Sequence, residues 1–439
     1  MTGLVYHVSP GGRLTGTLRV PGDKSISHRA IMLGAVAEGE THVTGFLEGE
    51  DCLATMRAFR AMGVTIEGPE AGRVRISGVG LHGLRAPAAP LDMGNSGTAM
   101  RLMAGLLAGQ RFDSVLVGDA SLSRRPMRRI TEPLRRMGAH IDTSPEGTPP
   151  LHIHGGARLH GIDYAMPMAS AQVKSCLLLA GLYAQGRTCV TEPAPTRDHT
   201  ERMLRGLGYA VERSGLKVCL EGGGRLQGGA MDVPADISSA AFFLVGASIA
   251  AGSDLVLRHV GVNPTRTGVI EILRRMGGRI QIEHAHEAGG EPVADLRVEA
   301  AELQGIDIPE SLVPLAIDEF PALFVAAACA RGTTRLRGAA ELRVKESDRI
   351  GVMAEGLQAL GIEAEPLPDG IVIQGGTLRG GTVHSHGDHR VAMAFAMAAL
   401  RAAEPVHILD CDNVNTSFPG FVSMARAVGL GIHEEPDGG

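Results

Sequence analysis

A unit of roughly 70 residues recurs six times along this chain, a period that suits a βαβαββ unit better than the shorter repeats of solenoids. Each copy opens on a polar helix start and runs through an apolar helix and a glycine into a β-branched strand. The starts are Ser27-His28-Arg29, Gly97-Thr98, Ser170-Ala171-Gln172, Ser238-Ser239, Glu319-Phe320-Pro321 and His389-Arg390. A second, amphipathic helix follows in every copy and ends in an apolar residue plus glycine: Met62-Gly63, Met137-Gly138, Leu207-Gly208, Met276-Gly277, Leu360-Gly361 and Val428-Gly429. Glycine at that place supplies the left-handed backbone that closes a helix. The repeat thus accounts for the one compositional outlier, 60 glycines in 439 residues.

Six such units divide into two domains of three. The crossings fall near Val20–Gly22 and Val233–Asp236, both containing proline. The last copy stops short of its final strands, so the opening strand pair, Val5–Ser9 and Arg13–Val20, is expected to complete it. One domain is then discontinuous, 1–21 plus 235–439, around an inserted domain, 22–234. The first helices (Ala99–Ala108, Val173–Ala184, Ala240–Ala251, Ala322–Ala330, Val391–Leu400) lack a broad polar face and belong inside, with the sheets around them. The segment His284–Pro292 reads as a loop insertion.

Net charge is −6 and aromatic residues are 3% with no tryptophan. Neither favours a nucleic-acid partner, despite the paired arginines at 124–125, 128–129 and 135–136. The longest apolar runs fall short of the ~18 residues of a membrane span. Met1–Pro10 has no signal-peptide character. Six cysteines without metal spacing read as small core residues of a cytoplasmic protein. No HExxH, Cys/His cluster or P-loop occurs, so neither a metal nor a cofactor is expected.

Chemistry gathers at the helix starts. Lys24, Ser25 and Arg29 lie in Gly-Asp-Lys-Ser-Ile-Ser-His-Arg, where two serines are placed to cap a helix. Asn95-Ser96-Gly97-Thr98 with Arg101 forms a turn whose backbone a ligand can approach closely. Ser170, Gln172 and Lys174 open the third copy, Asp318-Glu319 the fifth and Asp388-His389-Arg390 the sixth; loops add Arg124-Arg125, Arg197-Asp198-His199 and Lys345-Glu346-Ser347-Asp348-Arg349. A helix N-terminus attracts anions and repels cations. Repeated lysine and arginine there is costly for stability alone, and points to a site for several anions.

The stretches Gly22–Arg29, Gly94–Arg101, Gly118–Met127, Ser170–Lys174, Lys345–Arg349 and Asp388–Arg390 resemble, in this order, the signatures of the 5-enolpyruvylshikimate-3-phosphate synthase family. The resemblance implies an α/β fold, a two-domain inside-out α/β barrel of six βαβαββ repeats with the active site in the interdomain cleft. It implies transfer of the enolpyruvyl (carboxyvinyl) group of phosphoenolpyruvate to the 5-hydroxyl of shikimate 3-phosphate by addition and elimination, in aromatic amino acid biosynthesis. By motif, phosphoenolpyruvate would meet Lys24, Gly97, Arg125, Gln172, Arg349 and Arg390. Shikimate 3-phosphate would meet Lys24, Ser25, Arg29, Ser170, Gln172, Arg197, Asp318 and Lys345. Asp318 is the candidate base on the hydroxyl, and Glu346 or Lys24 handles the methylene proton. The partners are then small anions, and the expected state is a monomer with no nucleic acid and no membrane.

Two departures stand out. Thr416-Ser417-Phe418-Pro419 lacks the lysine that many members carry just before Thr-Phe-Pro. Ser170-Ala171-Gln172, Arg197–Glu201 and Asn263–Arg266 resemble the glyphosate-tolerant subgroup, but Gly97 stands where its best-known members have alanine, so intermediate tolerance is expected. The rival with the same donor, UDP-N-acetylglucosamine enolpyruvyl transferase, carries a cysteine in the loop corresponding to Ala120–Met127, which has none here. A non-catalytic phosphosugar-binding module, or an RNA-end-processing relative, would not need Asp318 and Glu346.

Overall fold

The apolar first helices form the core of two compact units in the structure, a computed structural model that describes residues 3–436. The terminal unit comprises Met1–Pro21, Pro234–Glu287 and Pro292–Gly439; the inserted unit comprises Gly22–Val233 and Ala288–Glu291. In the inserted unit the core helices are α1 (Lys24–Val36), α2 (Gly97–Ala108) and α3 (Ala171–Gly181); in the terminal unit they are α4 (Ile237–Ile249), α5 (Phe320–Cys329) and α6 (His389–Ala398). Every residue of α4 and of α6 is buried. A helix apolar on all sides has no face to give to water, so it is enclosed by its neighbours.

Among the described residues six small sheets lie outside these helices, five of four strands and one of three. Within the inserted unit, the strand after α1, Glu38–Thr44, pairs antiparallel with Arg73–Val79, which pairs with Thr65–Glu70. Its other edge takes Ala230–Asp232 in parallel, a strand from the third repeat. The same lending occurs at Leu91–Asp92 onto Ser114–Val117 and at Asp163–Ala165 onto Arg187–Thr191. Each repeat therefore gives its last strand to the next repeat's sheet, and the third gives its own back to the first.

The terminal unit follows the same rule with one correction to expectation. Leu4–Val8 lies between Val406–Leu409 and Ile432–Pro436 and completes the last repeat's sheet. Thr15–Leu18 does not join it there. It pairs in parallel with Asp254–Gly261 of the fourth repeat, as strand lending requires. The expected loop at 284–292 is also strand: Arg279–Ala288 and Glu291–Glu299 are neighbours in one sheet.

All six glycines that follow the second helices have positive φ, from 83° to 119°. Two residues before each apolar cap residue stands an arginine or glutamine. Arg60, Arg135, Arg205, Arg274 and Gln358 each donate to the carbonyl six residues on, at Ile66, Ile141, Val211, Ile280 and Ala364, over 2.6–3.0 Å. The bond ties the helix end to the strand beyond the glycine, and a cation there suits the negative end of the helix.

Two further corrections concern composition. Cys189 and Cys219, directly opposite each other on neighbouring strands, form a disulfide, while Cys52, Cys176, Cys329 and Cys411 are not disulfide-bonded. Among the described residues one stretch, Glu310–Cys329, is long and apolar enough to cross a membrane by length and composition. It is broken by 3-10 turns, and 67% of its most apolar window is buried inside the protein.

Candidate active site

In the inserted unit the three helix starts are bonded to one another. Asp23, not a serine, caps α1: its carboxylate accepts from the Ile26 N–H at 2.8 Å. That leaves Lys24 and Ser25 in the first turn, where Lys24 Nζ meets Asp51 at 2.9 Å. Arg29 is buried and donates to Thr200 Oγ1 (2.8 Å), Ser175 Oγ (3.0 Å) and the Ser25 carbonyl (2.8 Å). Arg197 Nη1 lies 3.3 Å from Ser25 Oγ. Ser96 caps α2 and Ser170 caps α3, each accepting from the N–H three residues on.

Gln172 links α3 to α2. Its amide oxygen accepts from Arg101 Nη1 at 2.6 Å and its amide nitrogen donates to Thr98 Oγ1 at 2.9 Å. Arg125 donates to Asn95 at 2.8 Å and to Ser121 at 3.4 Å. Gly97 faces both guanidiniums: a Cβ on it would lie 3.0 Å from Arg101 Nη1 and 3.1 Å from Arg125 Nη1. Lys24, Ser25, Arg29, Gly97, Arg125, Ser170, Gln172 and Arg197 thus belong to one linked set of helix starts and loops. Asp51, Thr200 and Ser175 join it unforeseen. Only the Glu50-Asp51 pair after Gly49 could have signalled one of them.

His28 sits beneath this set, Nδ1 2.8 Å from Thr55 Oγ1 and Nε2 3.3 Å from Ser96 Oγ. Complete burial, reinforced by the Lys24 and Arg29 charges, holds its pKa well below 6.5 and keeps the ring neutral.

The terminal unit gathers carboxylates around one arginine. Arg349, wholly buried, binds Asp388 through Nε (2.9 Å), Glu346 through Nη2 (2.6 Å) and Asp318 through Nη1 (3.4 Å). Burial opposes its charge, but Asp388, then Glu346 and Asp318, more than offset this and raise its pKa above the ordinary arginine value. Asp388 also caps α6, accepting from the Arg390 N–H at 3.0 Å, and takes the Ser347 hydroxyl at 2.9 Å. Lys345 Nζ is 3.7 Å from Asp318, and Arg390 Nη1 is 3.5 Å from the Asp318 carbonyl. Asp318, Lys345, Glu346, Arg349 and Arg390 therefore form a second linked set. Near it Arg266 binds Asp236 at 3.0 Å and Ser238 at 2.8 Å, and Ser238 donates to buried Glu319. Among the described residues no group of three or more His, Cys, Asp and Glu side chains is arranged to hold a metal ion.

Cations gathered at helix starts, with carboxylates beside them, suit an enzyme that acts on small anions. The fold is that of the enolpyruvyl transferases: the enolpyruvyl transferase NikO of Streptomyces tendae superposes with a TM-score of 0.78 over 99% of each chain at 17% identity, which speaks for the fold alone. The chain belongs to the EPSP synthase (3-phosphoshikimate 1-carboxyvinyltransferase) family, which it matches over residues 8–424. It is similar to the 3-phosphoshikimate 1-carboxyvinyltransferases of Methylococcus capsulatus (70% identity, 98% of each chain) and Alkalilimnicola ehrlichii (71%, 97% of this chain and 96% of the other). The EPSP synthase of Acinetobacter baumannii superposes with a TM-score of 0.88 at 59% identity, over 98% of this chain and 100% of that one.

Proposed function

We propose that this chain transfers the carboxyvinyl group of phosphoenolpyruvate to the 5-hydroxyl of shikimate 3-phosphate and releases phosphate, as a cytoplasmic monomer. The observation that carries this reading is the bonding of Gln172 to both Arg101 and Thr98, which ties the second and third helix starts into one cationic surface. Two substrates with four anionic groups repel by roughly 4 kcal/mol per close pair at an effective dielectric near 20, so fixed cations must offset that before reaction. Lys24, Ser25, Arg29, Ser170, Gln172, Arg197, Asp318 and Lys345 hold the acceptor; Lys24, Gly97, Arg125, Gln172, Arg349 and Arg390 hold the donor. The planar guanidinium suits carboxylate and phosphate oxygens.

In the addition step Asp318 takes the proton of the 5-hydroxyl as its oxygen bonds to C2 of phosphoenolpyruvate, and C3 gains a proton from Glu346 or Lys24. In the elimination step C3 gives a proton back to Glu346 or Lys24, the C2–O bond to phosphate breaks, and phosphate leaves with the proton that Asp318 took. Glu346 and Asp318 both lean on Arg349, whose fixed charge keeps them in place through both proton transfers. Mixing the purified protein with phosphoenolpyruvate and either shikimate 3-phosphate or UDP-N-acetylglucosamine, and following phosphate, tests this. Release with shikimate 3-phosphate alone is expected. Release only with the nucleotide sugar, or with neither, overturns it.

A further inference from the structure

Lys174 stands one turn into α3, in line to serve a ligand, yet it is wholly buried and its ammonium points elsewhere. Nζ lies 2.9 Å from Glu192 Oε1 and 3.0 Å from Glu201 Oε2, both buried, and 3.5 Å from the Thr196 carbonyl. Arg213, partly exposed, reaches the same two carboxylates at 3.3 and 3.4 Å. Two cations and two anions make a neutral set. Stability alone does not call for it, because apolar side chains of similar volume fill such a space as well or better.

The set does hold one loop. Glu192 Oε1 accepts the Thr196 N–H at 3.2 Å and the Thr196 hydroxyl as well. Glu201 lies in the first turn of the helix His199–Gly206, so one ammonium draws both ends of the segment from 192 to 201 toward α3. Within that segment is Arg197, beside Ser25. The adjoining pair, Ser175 of α3 and Thr200, bonds Arg29. Lys174 and Ser175 thus fix, side by side, two arginines assigned to the acceptor.

We infer that Lys174, Glu192 and Glu201, with Thr196, are positioning residues for the acceptor: through the loop they set Arg197 against the phosphate of shikimate 3-phosphate without touching it. This rests on the function proposed above. The test is steady-state kinetics with both substrates varied, direct calorimetric binding of shikimate 3-phosphate, and melting temperature, on wild type, Thr196→Val, Lys174→Met and the double variant Lys174→Met/Glu192→Gln, whose remaining charges again sum to zero. Misplacing a binding group by about an ångström costs up to ~100-fold. Thr196→Val is therefore expected to raise KM and Kd for shikimate 3-phosphate ~10-fold and Lys174→Met ~100-fold, with KM for phosphoenolpyruvate within ~2-fold. The double variant should regain melting temperature but keep the raised KM. If acceptor KM returns with melting temperature, or both KM values move together, the network is structural and the inference falls. Should Lys174→Met not fold, Thr196→Val decides: unchanged acceptor Kd overturns the inference. A wild type that turns over no shikimate 3-phosphate brings down the proposed function as well, so the two failures are distinguishable.

Discussion

The two units differ in how their carboxylates gather: Lys24 meets Asp51 in the inserted unit, whereas several converge on a single arginine in the terminal one. In the inserted unit the guanidiniums of Arg29, Arg101, Arg125 and Arg197 donate to hydroxyl, amide and carbonyl oxygens. In the terminal unit Arg349 is met by three carboxylates. A neutral oxygen aims a guanidinium without cancelling its charge, whereas a carboxylate offsets part of that charge and is itself held in place. In the function proposed above both units grip anions, and the terminal unit adds the base, Asp318.

That contrast breaks most readily at Asp318. Asp318→Asn is expected to lower kcat by ~10²–10⁴ with KM values little changed, the range for loss of a general base; a rise in KM at constant kcat would make it a binding group like those of the inserted unit. Arg125→Ala should do the reverse, raising KM for phosphoenolpyruvate by ~100-fold, as loss of a charge-assisted contact of about 3 kcal/mol requires. Gly97→Ala sharpens the comparison within one unit. Its Cβ would crowd both Arg101 and Arg125 at 3.0–3.1 Å, so KM for phosphoenolpyruvate should rise ~10-fold, with inhibition by glyphosate weakened further, an effect expected of ~1.4 kcal/mol of lost binding. Equal KM in wild type and variant would show that the guanidiniums give way freely.

The smallest effect is on stability. The His28 pKa is depressed in the folded chain, so the unfolded chain takes up the extra proton as pH falls below 6.5. Stability is therefore undiminished above that pH and drops below it by up to about 1.4 kcal/mol per pH unit until the folded-state pKa is reached. Denaturant titrations of wild type and His28→Gln between pH 7.5 and 5 check this; the variant should lose stability less steeply.

Much of this was legible because glycine and the helix start are local signals. Gly63, Gly138, Gly208, Gly277, Gly361 and Gly429 announce a backbone conformation that other residues resist, and each adopts it. The cations at the starts stand out because the helix dipole works against them. What escaped depends on partners remote in sequence. Nothing local in Thr15–Leu18 says that it pairs with Asp254–Gly261, nor in Thr200 and Ser175 that they flank Arg29. Cys189 and Cys219 are separated by 30 residues, and only the register of two strands brings them opposite. Lys174 was visible as a charge at a helix start, but its role turns on Glu192 and Glu201, which no spacing marks.

The lending of strands also bears on how the chain assembles during synthesis. Leu4–Val8 is made well before its neighbours, Val406–Leu409 and Ile432–Pro436. The inserted unit, whose ring of sheets closes at Ala230–Asp232, lacks only Ala288–Glu291 long before then. Leu4–Val8 must wait, its edges uncovered, until those two strands have been made, and contacts this distant in sequence form slowly. A nascent chain halted after about residue 240 should therefore carry an inserted unit complete but for Ala288–Glu291 and a bare strand at Leu4–Val8, the segment that chaperones would most need to shield.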